Sequence, residues 1–244
     1  MSLVTAPLAD VTAATPRSRL LRIDITGTPF TFQPGQAIII AAHGNPDRRP
    51  YSIASSPYRA HATGSIEVLI AVDAQGHAGS HLPRLSRGEL LDIEGPVGTF
   101  VFPSDATPAR VLFVAGGTGI APLRAMTDHL LRYQPDCHVS VLYSARSHDE
   151  FAFIDEFRLH ASRHKLELHQ TVTRDEGASW IGGRGRIGQA HFEAVLHDPA
   201  DTLCFVCGPP ALVSESVGTL QHLGVPPELI HTEAWLRRTA GESV

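Results

Sequence analysis

The segment Val111–Met126, VLFVAGGTGIAPLRAM, constrains the fold of this chain more than any other stretch. It opens with an apolar run rich in β-branched residues that has the length of a buried strand. A glycine cluster follows at once, and Pro122 then stands at the start of a helical spacing of apolar residues. A strand, a glycine turn and a helix start together bind anions well, because side-chain-free residues let a ligand reach the N–H groups at the helix N-terminus.

The same glycine cluster is equally compatible with a tight turn between a strand and a helix in any α/β protein. The loop fits neither G-x-G-x-x-G nor the P-loop with its lysine, so it lacks the usual dinucleotide and ATP fingerprints. Taken by itself, the cluster therefore leaves the two interpretations open.

Composition narrows the class of protein. The chain has 244 residues, enough for one large domain or two medium ones, and its 43% hydrophobic and 18% charged content is ordinary for a soluble globular protein. The net charge of −5 argues against a general nucleic-acid binder. No apolar run has membrane-spanning length and no signal-peptide pattern opens the chain, so we expect a cytoplasmic protein that does not bind membranes.

The cysteines and histidines predict no metal centre. The chain has three cysteines: Cys137, Cys204 and Cys207. They offer no four-cysteine spacing for an iron–sulfur cluster, and strand alternation would place Cys204 and Cys207 on opposite faces. None of the 14 histidines forms H-E-x-x-H, and we expect His160, His164 and His169 on a solvated helix and the strand after it. We therefore expect no bound metal.

Residues 1–102 alternate short strands with turns. The predicted strands are Leu20–Ile25, Gln36–Ala42, Tyr51–Ser55, Ile66–Val72 and Leu90–Glu94. Turn residues such as Pro34-Gly35 and Gly95-Pro96 lie between them. Short strands at this spacing predict a small antiparallel β-barrel, interrupted by one short helix around Ser80–Leu85.

After a linker at Pro103–Pro108, strands alternate with helices. The predicted strands are Val111–Ala115, Val139–Ser144, Leu166–Thr173 and Leu203–Cys207, and the predicted helices are Pro122–Tyr133, Phe151–Ser162 and Pro210–Leu223. This alternation predicts a doubly wound α/β domain with a parallel sheet covered on both faces. We therefore expect two domains, an antiparallel β-barrel at residues 1–103 and an α/β domain at 109–244.

Two motifs in the barrel half have the chemistry to hold a pyrophosphate. In RPYSIASSP, strand alternation puts Arg49 and Tyr51 on one side and Ser52 on the other. In GHAGSHL, Gly79 and Ser80 open a short helix, whose N-terminus is a second place for a phosphate. The R-x-Y-S pattern by itself favours a plain surface strand, so only the two motifs together predict a pyrophosphate site.

Six motifs then come in an order that resembles the ferredoxin–NADP reductase superfamily. They are RPYSIASSP, GHAGSHL, GPVGTF at Gly95–Phe100, GGTGIAP, CGPP at Cys207–Pro210 and Glu233-Ala234-Trp235. Each motif is weak, but six in order over almost the whole chain are specific. The resemblance implies a flavin-binding barrel followed by a domain for a nicotinamide nucleotide.

The resemblance also implies roles in flavin binding. Arg49 would hold the flavin pyrophosphate, Tyr51 would pack on the isoalloxazine ring, and Ser52 would lie near the flavin N5. Gly79 and Ser80 would bind the pyrophosphate, which favours FAD, although relatives that use FMN keep R-x-Y-S too.

Two further residues are assigned to FAD by the same resemblance. Thr118 would contact it from the glycine loop, and Trp235 stands where relatives place an aromatic that covers the flavin. The chain continues nine residues past Trp235, which departs from a free C-terminal cap.

On the nicotinamide side, the resemblance assigns the pyrophosphate to the loop residues Gly116, Gly117, Thr118 and Gly119. Cys207, Gly208 and Pro209 match the family's nicotinamide-side loop, and Glu233 matches its C-terminal carboxylate. The expected catalytic residues are thus Ser52, Cys207 and Glu233, with Cys207 as a positioning group and not a nucleophile.

Basic residues after two strands predict NADPH over NADH. Arg146 follows the second strand of the α/β domain, and Thr173 and Arg174 end the third, as in NADPH-type bacterial reductases. Arg184 or Arg186, both in GGRGRIG, is a further candidate cation, with Arg184 the expected contact. An acidic residue at the end of the second strand would suit the free ribose hydroxyl of NADH, and no acidic residue stands directly there. Plain surface arginines remain the alternative interpretation.

The implied activity is that of an NAD(P)H-dependent flavoprotein reductase. It would pass a hydride from NADPH to FAD and then single electrons to a separate ferredoxin or flavodoxin, as a monomer. The alternatives are an NADH-dependent reductase component of an oxygenase, a reductase of free flavin, iron chelates or quinones, and a non-catalytic flavin-binding regulatory subunit.

Overall fold

The first half of the chain folds into a curled antiparallel sheet. A computed structural model describes residues 2–73, 81–103, 106–175, 177 and 180–234. Within these residues the sheet has six strands in the order β4-β3-β6-β1-β2-β5. They are β1 (Ser2–Thr15), β2 (Ser18–Asp24), β3 (Ala37–Ala42), β4 (Arg49–Ser52), β5 (Ser65–Ala71) and β6 (Leu90–Val97). A bridge between Ile53 and Val68 joins the two edges, so the sheet closes into the predicted barrel.

Strand alternation builds the barrel core. Every second residue points inward and is buried: Ala6 and Leu8, Leu21 and Ile23, Ile38 and Ile40, Ile66, Val68 and Ile70, and Leu91 and Ile93. These side chains form one apolar cluster, whose removal from water stabilises the barrel.

Two elements of the barrel half were not predicted. The long strand β1 pairs with both β2 and β6, although a register shift between Leu8 and Asp10 interrupts its alternation. The helix α1 (Pro57–Thr63) begins at Ser56, whose hydroxyl accepts a hydrogen bond from the Arg59 amide, and ends at Gly64 with a φ of 65°. Of the helix predicted around Ser80–Leu85, the described part is a single 3-10 turn at Leu82–Arg84.

The second half is a parallel sheet with helices on both faces, which confirms the predicted fold class. Its six described strands lie in the order β10-β9-β8-β7-β11-β12. They are β7 (Arg110–Gly116), β8 (His138–Ala145), β9 (Glu167–Val172), β10 (Gly183–Arg184), β11 (Thr202–Gly208) and β12 (Ile230–Ala234). The described helices are α2 (Ile120–Tyr133), α3 (Ile154–Ser162), α4 (Gln189–Glu193) and α5 (Pro210–His222).

The two faces of this sheet have separate cores. Leu123 of α2 and Phe157 of α3 share one apolar cluster, and Phe192 of α4 and Leu220 of α5 share the other. Cys207 belongs to the first cluster and Cys204 to the second, as strand alternation predicts.

Several predicted boundaries shift. Helix α2 begins at Ile120, because a 3-10 turn at Gly117–Gly119 leads directly into it, and Pro122 still lies in the first turn, where its missing N–H has no intrahelical partner to lose. Helix α3 begins only at Ile154, after Phe153 adopts a left-handed φ of 59°. Strand β12, which carries Glu233, was not predicted as a strand.

Helix α2 joins the two halves. A Cβ at Gly35 of the barrel would overlap the Met126 side chain, so the backbone there lies directly against α2. Phe100 and Phe102 of the barrel half pack on Phe205 of β11. The domain boundaries 1–103 and 109–244 stay a prediction.

A buried ionic network lies in the same interface. Arg124 of α2 donates to Glu67 of β5 at 2.7 Å and to Glu156 of α3 at 3.0 Å, and its guanidinium carbon sits 4.2 Å from the centre of the Phe153 ring. Arg59 of α1 also contacts Glu156, at 2.8 Å. Buried charges are tolerated when they are paired in this way, so the network fixes α2 against the barrel.

No helix in the described part of the chain combines the length and the apolar character needed to cross a bilayer.

Candidate active site

The carboxyl ends of three neighbouring strands bring the predicted site residues together. Strands β7, β11 and β12 are parallel neighbours that end at Gly116, Gly208 and Ala234. The glycine loop, Gly116–Gly119, and the Cys207–Pro209 turn therefore lie at one edge of the sheet, where open α/β sheets bind their ligands.

The two turns touch so closely that a Cβ would clash at Gly119 and Gly116 and would be crowded at Gly208. A Cβ at Gly119 would overlap the Cys207 carbonyl, and a Cβ at Gly116 would come within 2.9 Å of the Pro209 Cδ. A Cβ at Gly208 would lie 3.1 Å from the Gly116 nitrogen. Packing between the two turns is thus sufficient to explain these three glycines.

Gly117 differs from its neighbours. Its φ is +54°, and within the described residues no atom beyond its chain neighbours lies within 4 Å of a Cβ built on it. The backbone here borders open space at the entry to α2, which fits the approach of a dinucleotide pyrophosphate.

Tyr143 of β8 anchors the glycine loop from beneath. Its hydroxyl donates to the Gly117 carbonyl and accepts from the Ala152 amide, both at 3.1 Å. Complete burial raises the pKa of Tyr143 above its ordinary value, so the hydroxyl stays protonated as a donor. The sequence analysis missed this residue, although a tyrosine inside the apolar run VSVLYSA was a signal of it.

The three expected catalytic side chains meet at one carboxylate. The Ser52 hydroxyl donates to Glu233 Oε2 at 3.3 Å, and the Cys207 thiol approaches the same oxygen at 3.9 Å. Ser52 belongs to the barrel, whereas Cys207 and Glu233 sit side by side on β11 and β12. The Ser52–Cys207–Glu233 cluster therefore spans the interface between the two domains.

Two members of this cluster are shielded from water, whereas Glu233 is partly exposed. Cys207 is fully buried and Ser52 is 7% exposed. In such a setting a hydrogen bond to a carboxylate is strong and holds a side chain in one orientation. The arrangement can therefore hold the Ser52 hydroxyl in one orientation at the edge of the barrel.

On the barrel side, Arg49 and Tyr51 follow the alternation predicted for β4. They pair with Ile40 and Ile38 of β3, and Tyr51 packs partly buried against the barrel core. Asp47 contacts the Arg49 guanidinium at Nε, 3.0 Å away, and the side chain stays 28% exposed. A planar guanidinium with an accessible end fits a diphosphate.

His81 holds the end of the GHAGSHL segment against β3, the strand that pairs with β4. Its Nε2 accepts a hydrogen bond of 2.9 Å from the Ala42 amide, at the end of β3. Gly79 and Ser80 themselves lie outside the described residues, as does Trp235.

The residues expected at the ribose end lie side by side. Strands β8 and β9 are neighbours, and beyond their ends the Arg174 amide donates to the Arg146 carbonyl at 2.8 Å. The Thr173 amide donates to the Ala145 carbonyl at 3.0 Å. Arg146, Thr173 and Arg174 therefore share one end of the sheet with the glycine loop.

Two neighbours qualify that arrangement. Arg184 donates to the carbonyls of Asp175, Gly177 and Trp180, so its guanidinium closes a loop of its own chain. Asp175 directly follows Arg174 and lies 2.6 Å from His148 Nδ1. This hydrogen bond and two backbone amides lower the pKa of Asp175 to about 2, so the carboxyl group is ionised near neutral pH. A negative charge therefore lies next to Arg174, where the NADPH phosphate was expected.

Known proteins match both halves of the chain. The model of the oxidoreductase FAD-binding domain matches residues 6–102, and the model of the oxidoreductase NAD-binding domain matches residues 113–217. Ferredoxin–NADP reductase B of Sorangium cellulosum (strain So ce56) is 35% identical over 223 residues, covering 86% of this chain and 87% of its own.

Two further matches are components of oxygenase systems by name. The glycine betaine monooxygenase reductase subunit of Pseudomonas aeruginosa (strain UCBPP-PA14) is 31% identical over 214 residues, which cover 84% of this chain and 57% of that protein. A solved ferredoxin reductase in carbazole 1,9a-dioxygenase superposes with a TM-score of 0.83 at 27% identity, over 96% of this chain and 70% of that one.

With the barrel, the parallel sheet, the shared edge of glycine loop and carboxylate, and these relatives in agreement, the chain belongs to the ferredoxin–NADP reductase superfamily of flavoprotein oxidoreductases.

Proposed function

We propose that this protein is an FAD-containing reductase that oxidises NADPH and passes electrons singly to a separate ferredoxin or flavodoxin. The observation that carries the proposal is the Ser52–Cys207–Glu233 cluster, which joins the barrel to the edge of the parallel sheet. The flavin-binding barrel is placed at residues 1–103 and the nicotinamide-nucleotide domain at 109–244.

The flavin is assigned to the barrel face that carries Arg49 and Tyr51. Arg49 would hold the pyrophosphate with Gly79 and Ser80, and Tyr51 would pack on the flavin ring. Thr118 and Trp235 are the proposed contacts from the other domain.

The nicotinamide nucleotide is assigned to the edge formed by the glycine loop and Cys207, Gly208 and Pro209. The loop residues proposed to hold its pyrophosphate are Gly116, Gly117, Thr118 and Gly119. The open space beside the left-handed Gly117 backbone supports this assignment. When bound, the two cofactors supply hydride transfer and the later release of single electrons, which is their own chemistry.

The chain's contribution at this site is orientation and exclusion of water. Glu233 accepts the Ser52 hydrogen bond and so fixes the Ser52 hydroxyl at the barrel edge. Cys207 is buried beside the Glu233 carboxylate, and its thiol is proposed as a positioning group.

Preference for NADPH is proposed from Arg146, Thr173 and Arg174, which share the ribose end. A phosphate monoester carries about −1.5 to −2 charges near neutral pH, and an arginine can give it a bidentate contact. Arg184 is a weaker candidate, because its guanidinium already binds three carbonyls.

A second candidate is an NADH-dependent reductase component of an oxygenase system. It is favoured by the names of two relatives and by the Asp175 carboxylate beside Arg174, which repels a phosphate and suits a free ribose hydroxyl.

An anaerobic reduction experiment tests the proposal. The flavin released from the purified protein by heat is expected to be FAD, and NADPH is expected to bleach the bound flavin faster than NADH does. Reduced protein is then mixed with a ferredoxin, a flavodoxin or free flavin, and single-electron reduction of one protein carrier is expected. A colourless protein from cells rich in flavin, or a bound flavin that neither nucleotide reduces, contradicts the proposal.

In the same experiment, Arg49→Ala is expected to lower flavin occupancy far more than Arg48→Ala. Arg48 is the matched control because it is the adjacent arginine and its nearest carboxylates, on Asp92 and Glu94, are 3.8 and 3.7 Å away.

A further inference from the structure

A cluster of imidazole and carboxylate groups lies at the opposite end of the parallel sheet from the active site. His138 opens β8, Glu167 opens β9, and His197 lies in the turn after α4. Ser140 and Glu167 pair in the register of β8 and β9, so Glu167 shares the sheet face that α4 and α5 cover. The cluster is therefore separate from the strand ends that carry the glycine loop.

The two imidazoles converge on one carboxylate. His138 Nε2 lies 3.5 Å from Glu167 Oε1, and His197 Nε2 lies 3.4 Å from Glu167 Oε2. One ligand atom from each of the three residues can be chosen so that all lie within 4.8 Å of one another.

Two of these separations, each measured to a different oxygen of Glu167, match those of a metal coordination shell. Zinc binds imidazole nitrogens and carboxylate oxygens at about 2.0–2.2 Å in a tetrahedral arrangement, so neighbouring ligand atoms lie roughly 3.3–3.6 Å apart. The nitrogen-to-oxygen distances in the cluster, 3.5 and 3.4 Å, fall in that range. A direct hydrogen bond prefers a shorter separation of about 2.9 Å.

His138 carries an independent signal. Its Nε2 atom is shielded from solvent, yet it makes no hydrogen bond to any described residue. A buried nitrogen without a partner costs free energy, and such an atom in a native protein calls for an explanation. A cation held between His138 and Glu167 would give this nitrogen its missing partner.

The surroundings supply further coordinating groups. His169 Nε2 lies 4.0 Å from Glu167 Oε2, within reach of a fourth coordination position. The Ser140 hydroxyl donates to Glu167 Oε2 at 3.4 Å, the kind of outer hydrogen bond that orients a ligating carboxylate.

We propose that His138, Glu167 and His197, with His169 or water in the fourth position, bind a divalent transition-metal ion of the zinc type. Two imidazoles and one carboxylate suit Zn²⁺, Ni²⁺ or Cu²⁺ and disfavour Ca²⁺ and Mg²⁺, which prefer oxygen ligands. The ion clamps the starts of β8 and β9 to the turn that carries His197.

This proposal revises the expectation of no metal. The sequence analysis searched for ligands in short spacings, whereas Glu167 and His197 are separated by 30 residues. His138 meets Glu167 because β8 and β9 are neighbours in the sheet, and the turn after α4 brings His197 to the same carboxylate. His169 lies on β9, the strand after helix α3, as expected, and it is beside this cluster.

Binding of the metal is tested on the full chain with its flavin and without an added histidine tag. Protein stripped with a chelator is titrated with Zn²⁺ by calorimetry, in excess Mg²⁺. One tight equivalent is expected in the wild type, with at least about tenfold weaker binding in His197→Ala and Glu167→Gln. The His197 side chain is 45% exposed, so its loss should not disturb folding.

The matched control is His61→Ala, an exposed histidine of α1 in the barrel half. It is expected to bind Zn²⁺ like the wild type, and Co²⁺ should give the wild type, but not His197→Ala, the visible absorption of a tetrahedral site beyond the flavin bands. Saturating Zn²⁺ should also raise the melting temperature in wild type and control only.

Absence of tight Zn²⁺ binding in the wild type overturns the proposal. Equal affinity in wild type and His197→Ala overturns it as well, because the ion would then bind elsewhere. All of these readouts are independent of reduction by NADPH, so they stand whatever the electron donor proves to be.

Discussion

Arg124 of α2 donates a 2.7 Å hydrogen bond to Glu67 of β5, and this pair is the buried charge contact that ties the nucleotide half of the molecule to the barrel. The Arg124 side chain is 6% exposed and that of Glu67 is 11% exposed. Arg124 also donates to the Ala54 carbonyl at 3.1 Å. With Glu156 of α3 as its third acceptor, the Arg124 guanidinium holds β5, the segment at Ala54 and α3.

Arg124→Ala is expected to lower the free energy of unfolding by about 3–5 kcal/mol, because it leaves Glu67 buried without its main partner. The control is Arg22→Ala, since Arg22 contacts the same carboxylate at 3.4 Å but is 48% exposed. Its loss should cost about 1 kcal/mol or less. Denaturant unfolding of both variants measures the difference, and equal losses would contradict the role of Arg124.

The Arg124–Glu67 pair also predicts a pH dependence. Burial by itself would raise the pKa of Glu67, but the charge and hydrogen bond of Arg124 lower it below its ordinary value. A lowered acidic pKa stabilises the fold above the unfolded-state pKa, and that stability is lost as the pH falls through the lowered value. Acid titration of the unfolding free energy should therefore be steeper in the wild type than in Arg124→Met.

Ser52→Ala and Glu233→Ala should each slow flavin reduction while leaving the flavin bound. The hydrogen bond between them involves a carboxylate, and such bonds contribute about 1.5–3 kcal/mol, or roughly 10–100-fold in rate. Stopped-flow absorbance measures the reduction, with Ser214→Ala as control, because the Ser214 hydroxyl only donates to a carbonyl of its own exposed helix turn. Rates equal to the wild type would remove Ser52 and Glu233 from the site.

Tyr143→Phe should weaken nucleotide binding without changing flavin content. It leaves the Ala152 amide and the Gly117 carbonyl without their 3.1 Å partner, at a cost of about 1–3 kcal/mol in stability. Tyr133→Phe is the control, since Tyr133 is 58% exposed. Fluorescence titration with the oxidised nucleotide gives the affinity, and an unchanged Kd would show that the loop holds its shape without Tyr143.

Arg174→Ala should lower kcat/KM for NADPH by about tenfold or more and leave NADH almost unchanged. The effect should shrink as salt rises, because the ribose end is open to solvent. Arg158→Ala, on the exposed side of α3, is the control. A wild-type kcat/KM for NADH that equals that for NADPH at low salt would instead support the oxygenase-reductase alternative.

Local patterns carried much of the fold. Apolar or alternating runs such as Ile66–Val72 predicted the barrel strands, and the switch to strands followed by helices after Pro108 predicted the parallel sheet. The meeting of Ser52, Cys207 and Glu233 followed from the family resemblance, since no periodicity relates a barrel strand to the last strand of the sheet.

Contacts between residues far apart in the chain could not be predicted from local sequence patterns. Arg124 stands in a helical run where a charge ordinarily faces water, and only the barrel packed against α2 makes it a buried residue. His138 and His197 likewise gave no local signal, because they are far apart in the sequence and meet only in the folded chain. Strand β1 was missed because its alternation breaks at Asp10, where the register shifts.

Helix α2 sets the spacing between the two halves of the molecule. One end begins at the glycine loop, and its side meets the barrel through Arg124 and Met126. Substitutions on the outer faces of β1 and β2 can therefore reshape the barrel surface while the spacing between Ser52 and Cys207 stays constant. A side chain at Gly35 would act differently, because it would overlap both the Phe100 carbonyl oxygen and the end of the Met126 side chain, and the contact between the barrel and α2 would have to change.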